Sequence, residues 1–93
     1  MRAGILISPS GAAVGVAPSN GTDYSLAELQ GYVEGYIEIV TLTANTIMVV
    51  NEEGKGVLPK NVMATIIAKS HLAIFPEDYI AGNALLCPSD MVK

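Results

Sequence analysis

Reactive side chains are scarce in this chain. Among its 93 residues there is no tryptophan, one histidine (His71) and one cysteine (Cys87). A single cysteine rules out an intramolecular disulfide. It lies in the apolar run Ala84-Leu85-Leu86-Cys87-Pro88, where a buried small hydrophobe is the expected role. Zinc held by Cys and His needs at least three such ligands, and the chain has two. A Ser–His or Cys–His pair would have to use His71. No acidic residue lies beside it in the sequence, so His71 is read as a surface or core-edge residue unless the fold brings a carboxylate to it.

Charge is also sparse. Charged residues make up 15% of the chain, against about 25% in an ordinary globular protein. Nine carboxylates face five Lys and Arg, for a net charge of −4. Binding to a phosphate backbone needs clustered cations, so a nucleic-acid polymer is not expected as a partner. The acidic balance reads as solubility, with an acidic surface that meets a basic partner or imitates nucleic acid as the sharper alternative. No apolar run approaches the ~18 residues of a membrane span. The start, Arg2 and then Ala3–Ile7, resembles a signal peptide, but Ser8, Pro9 and Ser10 end it before the ~7–15 apolar residues that a signal needs. The expectation is an intracellular protein that does not enter a membrane.

What is abundant is apolar. Hydrophobic residues reach 51%, above the typical ~45–50%, which is the opposite of a disordered composition. The length is that of one domain, residues 1–93, which buries only roughly 60–65% of the surface its unfolded chain exposes. With few charges to cover the outside, apolar surface is expected to remain exposed, and a homo-oligomer is the natural way to hide it.

The order of elements is legible. Ala3–Ser8 and Ala12–Ala17 are short apolar strands around Pro9-Ser10-Gly11, an N-terminal hairpin over 3–17. The small residues Ala12, Ala13 and Gly15 suggest a second strand packed closely against another backbone. Ser25-Leu26-Ala27-Glu28 is a capping box, and Tyr24 with Leu29 forms a hydrophobic staple. Leu26, Leu29 and Val33 make one apolar face, and Gly35 supplies a left-handed stop, so helix one should span about Leu26–Glu34. Tyr36–Leu42 alternates as a strand. Thr46–Asn51 is apolar on both faces, hence central. Glu52–Lys55 is a tight turn in which Gly54 takes positive φ; Val57 and Leu58 resume an extended path. Asn61 caps a second helix from Val62 to about Lys69, with a strand as the alternative because Val62, Thr65, Ile66 and Ile67 are β-branched. Phe75–Asp78 is a loop, Tyr79–Cys87 a final strand with a bend or bulge at Gly82-Asn83, and the chain from Pro88 a tail. The sum is an α+β fold, a small and mostly antiparallel sheet with two helices in the order ββαββαβ.

Other chemistries are poorly supported. Glu34 and Glu38 are two carboxylates near each other in sequence, but nothing marks them as an acid–base pair rather than solvated surface groups. Glu38, Glu52 and Glu53 leave a carboxylate-only magnesium or calcium site open, although Glu52-Glu53-Gly54 lacks the spacing of a calcium loop. Gly54-Lys55-Gly56 has neither the spaced glycine nor the Ser/Thr of a phosphate loop. Gly11, Gly15 and Gly21 do not form a dinucleotide fingerprint. No cofactor is implied.

Several segments in their order carry a resemblance: Ser25–Gly35; Gly35-Tyr36-Ile37-Glu38; Val49-Val50-Asn51-Glu52-Glu53-Gly54-Lys55; Leu58-Pro59 with Asn61, Ala64 and Thr65; and Ile80 with Gly82 and Ala84. Together they resemble the domain of unknown function numbered 3846, over about residues 24–87. That resemblance implies an accessory protein of a bacteriophage, plasmid or other mobile element, working in the cytoplasm of a bacterial host cell; it implies no enzyme activity and no particular ligand. Read from their own chemistry, Asn51, Gly54 and Asn61 serve first as turn and cap residues. Tyr36, Glu38, Asn51, Glu52, Lys55, Asn61 and Thr65 also make a mixed set able to line a polar pocket. There the Asn61 helix start and Lys55 would attract an anion, and Tyr36 would stack on a base.

The leading expectation is a non-catalytic protein that binds and sequesters a small anionic, nucleotide-type ligand, plausible as counter-defence. The alternative is a protein–protein inhibitor or adaptor that blocks a host enzyme. An enzyme is the third reading, and substitution of Glu38 or His71 would expose it.

Overall fold

The computed structural model describes residues 2–92. Its elements are β1 (Gly4–Ile7), β2 (Ala13–Val16), α1 (Leu26–Val33), β3 (Ile37–Thr41), β4 (Thr46–Asn51), α2 (Val62–Ser70) and β5 (Ala84–Pro88), then a 3-10 turn over Ser89–Met91. The five strands form one sheet in the order β2-β1-β5-β4-β3, and every neighbouring pair is antiparallel. The ββαββαβ order and the α+β class read from the sequence are those of the structure.

Period-two alternation sends the two sides of β4 into two cores. Ile47 and Val49 join Leu85, Cys87, Met91 and the α1 residues Leu29 and Val33. Met48 and Val50 join Val40, Leu42, Ala84 and the α2 residues Ala64 and Ala68. A helix therefore covers each face of the sheet, which is why Thr46–Asn51 is apolar on both sides. The strand alternative for residues 62–70 fails for the same reason. Ala64, Thr65 and Ala68 are the buried positions there, a three-and-four spacing that only a helix puts on one side.

The start of α1 is as the sequence implies. The Glu28 amide donates to Ser25 Oγ at 3.1 Å and the Ser25 amide to Glu28 Oε1 at 2.8 Å. Tyr24 and Leu29 share a core cluster. Leu26, however, is exposed, so the buried stripe is Leu29 and Val33. The left-handed residue that ends α1 is Glu34, at φ 65°, not Gly35. Gly35 is needed for space, since a Cβ there would lie 2.7 Å from Asn51 Nδ2. Gly54 likewise lacks positive φ. A Cβ on it would meet the Ala81 carbonyl oxygen at 2.9 Å, and Gly56 supplies the positive φ of 80°. Val57 and Leu58 are not extended, because both amides fold back to the Gly54 carbonyl.

Three further expectations are corrected. Gly15 packs against nothing: a Cβ there would meet no atom within 4 Å, and β2 is an open edge of the sheet. The last strand begins at Ala84; before it, Ala81 makes only an isolated bridge to Lys60. The segment after Pro88 is no loose tail, since Met91 is fully buried and Val92 bridges Tyr24.

Candidate functional site

Of the seven polar residues singled out in the sequence, Glu38, Asn51, Glu52 and Lys55 line one small hollow, while Tyr36, Asn61 and Thr65 lie away from it. Asn61 and Thr65 face the interior. Asn61 is 0% exposed. Its Nδ2 donates to the carbonyls of Ile7 (3.0 Å) and Gly82 (2.9 Å), and its Oδ1 accepts from the Ala64 amide at 3.0 Å. Thr65 Oγ1 donates to the Asn61 carbonyl at 2.6 Å and accepts from the Ile80 amide at 2.9 Å. These bonds satisfy both side chains and tie β1 and the Ile80–Gly82 segment to the start of α2. Neither side chain is placed to touch a ligand.

Asn51 is also bound internally. Its Nδ2 donates to the Val33 carbonyl at 2.9 Å and its Oδ1 accepts from the Glu53 amide at 2.7 Å, joining the end of α1 to the turn after β4. It forms the floor of an open cleft of about 530 Å³ between Tyr36, Glu34, Glu53, Val57 and Leu58. Tyr36 is 66% exposed at its rim. The two carboxylates there repel an anion.

Glu38, Asn51, Glu52 and Lys55 meet at a smaller hollow of about 90 Å³, completed by Asp78 and Tyr79. Lys55 and Asp78 are ion-paired. The hydrogen bond from Lys55, backed by the Tyr79 amide, holds the Asp78 carboxyl below its ordinary value, and the same pairing raises Lys55. The Lys55 ammonium stands 5.8 Å and the Lys60 ammonium 5.6 Å from the centre of the Tyr79 ring. Glu38 has no ion pair among the described residues.

A third depression, about 430 Å³, runs between β3 and the loop after α2. Its lining includes the side chains of Glu38, Val40, Leu72, Ile74 and Phe75. Leu72 is the left-handed residue that closes α2, at φ 55°. The Ala73 amide reaches back to the Ala68 carbonyl at 2.9 Å and the Leu72 amide to Lys69 at 2.9 Å, a helix ending that normally uses glycine. Leu72 is 91% exposed and Phe75 73%. Sequence reasoning missed this patch, along with Lys60 and Tyr79. The one available signal was the absence of a glycine after Ser70-His71.

The other reactive groups have ordinary surroundings. Burial pushes the Cys87 thiol up to about 11, so it is not a thiolate at neutral pH. His71 Nδ1 lies 2.9 Å from the Ile67 carbonyl at the exposed end of α2. Among the described residues no three His, Cys, Asp or Glu side chains are grouped to hold a metal ion, and no helix is long and apolar enough to cross a membrane.

No curated protein and no solved structure matches this chain. A family model described as "Domain of unknown function (DUF3846)" matches residues 1–91, which takes in the N-terminal hairpin as well as the 24–87 region. The chain belongs to that family.

Proposed function

We propose that this is a non-catalytic recognition protein that binds another protein through the surface around Leu72 and Phe75. One observation carries the reading: a leucine sits in a backbone conformation that costs it roughly 1–2 kcal/mol, and the residue is 91% exposed. Nothing inside the fold gains from that side chain, and strain of this kind collects where a surface is used. Phe75 and the apolar flank of β3 extend the same patch. This favours the inhibitor or adaptor role over sequestration of a small anion. The buried Cys87 and helix-bound His71 agree with a protein that does not catalyse. A setting in a phage or other mobile element, inside a bacterial cytoplasm, rests on the family resemblance alone. The test is capture from a bacterial lysate. The wild type is expected to retain one partner in stoichiometric amount, and the double variant Leu72→Gly, Phe75→Ser to lose it. Recovery of the chain alone rejects the reading.

A second reading is favoured by a separate observation. Lys60 stands over Tyr79 beside Lys55 and, unlike Lys55, has no ion pair among the described residues, so a free cation and an aromatic ring lie together as a nucleotide-type anion would need. Melting in a panel of cyclic and ADP-ribose-type nucleotides tests it, and an unchanged melting temperature throughout removes it. The exposed apolar area supports a homo-oligomer as well, which sedimentation at several concentrations would reveal.

A further inference from the structure

We infer that the partner enters as an extended segment that adds a sixth strand to the β3 edge, with a basic residue opposite Glu38 and apolar residues on both sides of it. The inference rests on the protein-binding reading above and names the form and chemistry of what is bound.

β3 is the last strand of the sheet on its side. The register pairs Ile37 with Asn51 and Thr41 with Ile47. At its two ends the Glu52 amide donates to the Tyr36 carbonyl (2.8 Å) and the Leu42 amide to the Thr46 carbonyl (3.0 Å). In an antiparallel ladder hydrogen-bonded and non-bonded pairs alternate. Residues 36, 38, 40 and 42 therefore bond to β4, and the N–H and C=O groups of Ile37, Ile39 and Thr41 point away from the sheet. That is a row of unused backbone donors and acceptors of the kind an added strand takes up.

The two sides of this edge are apolar. On one side lie Glu38 and Val40 with the strained Leu72, and Phe75, across the groove. On the other side Ile39 is 42% exposed. An added strand, alternating its side chains, would cover both. The one fixed charge on the grooved side without an ion pair among the described residues is Glu38: Lys55 feels its charge across the hollow but is paired with Asp78, so Glu38 calls for a lysine or arginine opposite it. A second copy of this chain answers that requirement badly. Antiparallel pairing of β3 with itself would set two Glu38 carboxylates on one face. β2 of another copy carries no cation, since Ala13–Val16 is Ala-Val-Gly-Val, and its head-to-tail addition would not close.

The experiment is selection from a random-peptide display library on the purified protein, followed by backbone amide exchange with the winning peptide in synthetic form. The expected peptides alternate and carry a basic residue within an apolar stretch. They protect the amides of Ile39 and Thr41. Ile39→Pro, which removes an outward amide without breaking the β3–β4 ladder, and Ile39→Lys, which leaves every amide in place, should each weaken binding roughly tenfold at an unchanged melting temperature. Gly15→Pro on the opposite edge should leave binding intact. Peptides that protect other amides, a library that yields none, or a dimer dissolved by Ile39→Lys would each overturn the inference. The lysate capture stands apart: stoichiometric capture that survives Ile39→Lys would sink the β3 edge and leave protein binding standing.

Discussion

Asn61 and Leu72 show how differently two polar and apolar side chains can be spent at the two ends of one helix. Asn61 is buried and makes three hydrogen bonds, two as donor to carbonyls and one as acceptor. Asn61→Ala leaves the Gly82 carbonyl and the Ala64 amide without these partners, at about 1–3 kcal/mol for each buried group, partly relieved by water, while the Ile7 carbonyl keeps its place in the ladder with Ala84. A loss of roughly 3–5 kcal/mol in denaturant unfolding is expected. Asn61→Asp separates the roles. It keeps the acceptor that caps α2 and loses the donors to Ile7 and Gly82, so it should be at least as damaging as alanine; a mild effect would mean that capping is all Asn61 does. Leu72 predicts the opposite sign. Leu72→Gly relieves the left-handed strain and removes an exposed side chain, and should raise stability by about 1 kcal/mol. A variant that is more stable and binds less would place the strain in the service of recognition.

The capping box of α1 is the element most directly testable by pH. Glu28 accepts from the amides of Ser25 and Ser19 (2.8 and 2.9 Å), and these bonds, that to Ser25 foremost, hold its carboxyl below the ordinary value of 4.5. A carboxyl whose folded value is lowered adds stability above its unfolded value and loses it as pH falls through the folded one. The gap in melting temperature between wild type and Glu28→Gln should therefore be full at neutral pH and shrink as pH falls below 4.5; a gap that stays constant into acid would contradict this. At the far end of the helix, Gly35→Ala would drive a methyl against Asn51 Nδ2 and displace its bond to Val33. That substitution should destabilise even though Gly35 needs no special φ.

Across the whole molecule, the N-terminal hairpin is tied in by one hydroxyl. The Gly4 amide donates to Tyr24 Oη at 2.8 Å and Tyr24 donates in turn to the Val16 carbonyl at 2.5 Å, so the side chain stands inside the β1–β2 pairing where a direct bond would otherwise form. Gly4 has no Cβ because one would lie 2.8 Å from that oxygen. Tyr24→Phe strands both backbone groups. Amide exchange over residues 13–16 should then rise well before that of β4 and β5, and uniform exchange would mean that the hairpin does not open separately. Cys87 reports the opposite end of the scale. It lies on the central strand among Leu85, Met91 and Ile47, so its alkylation at mild alkaline pH should await global unfolding and follow stability across all of these variants.

Local chemistry decided much of this protein. The capping box, the two-sided apolar run of Thr46–Asn51, the Asn61 cap and the hairpin turn each depend on residues close in sequence, and each is where the sequence put it. Family membership was readable in the same way, since motif order is a property of the chain. Only the tertiary structure decided what the polar residues do and where the open surface lies. Asn61 and Thr65 turned inward because β1 and the Ile80–Gly82 segment brought carbonyls and an amide to them. Glycines 4, 35 and 54 were required by neighbours distant in sequence. The Leu72–Phe75 patch met the β3 edge because α2 packs on the Val40–Met48–Val50 face of the sheet. Contacts of this kind join residues tens of positions apart, and no local pattern of apolar and polar residues encodes them.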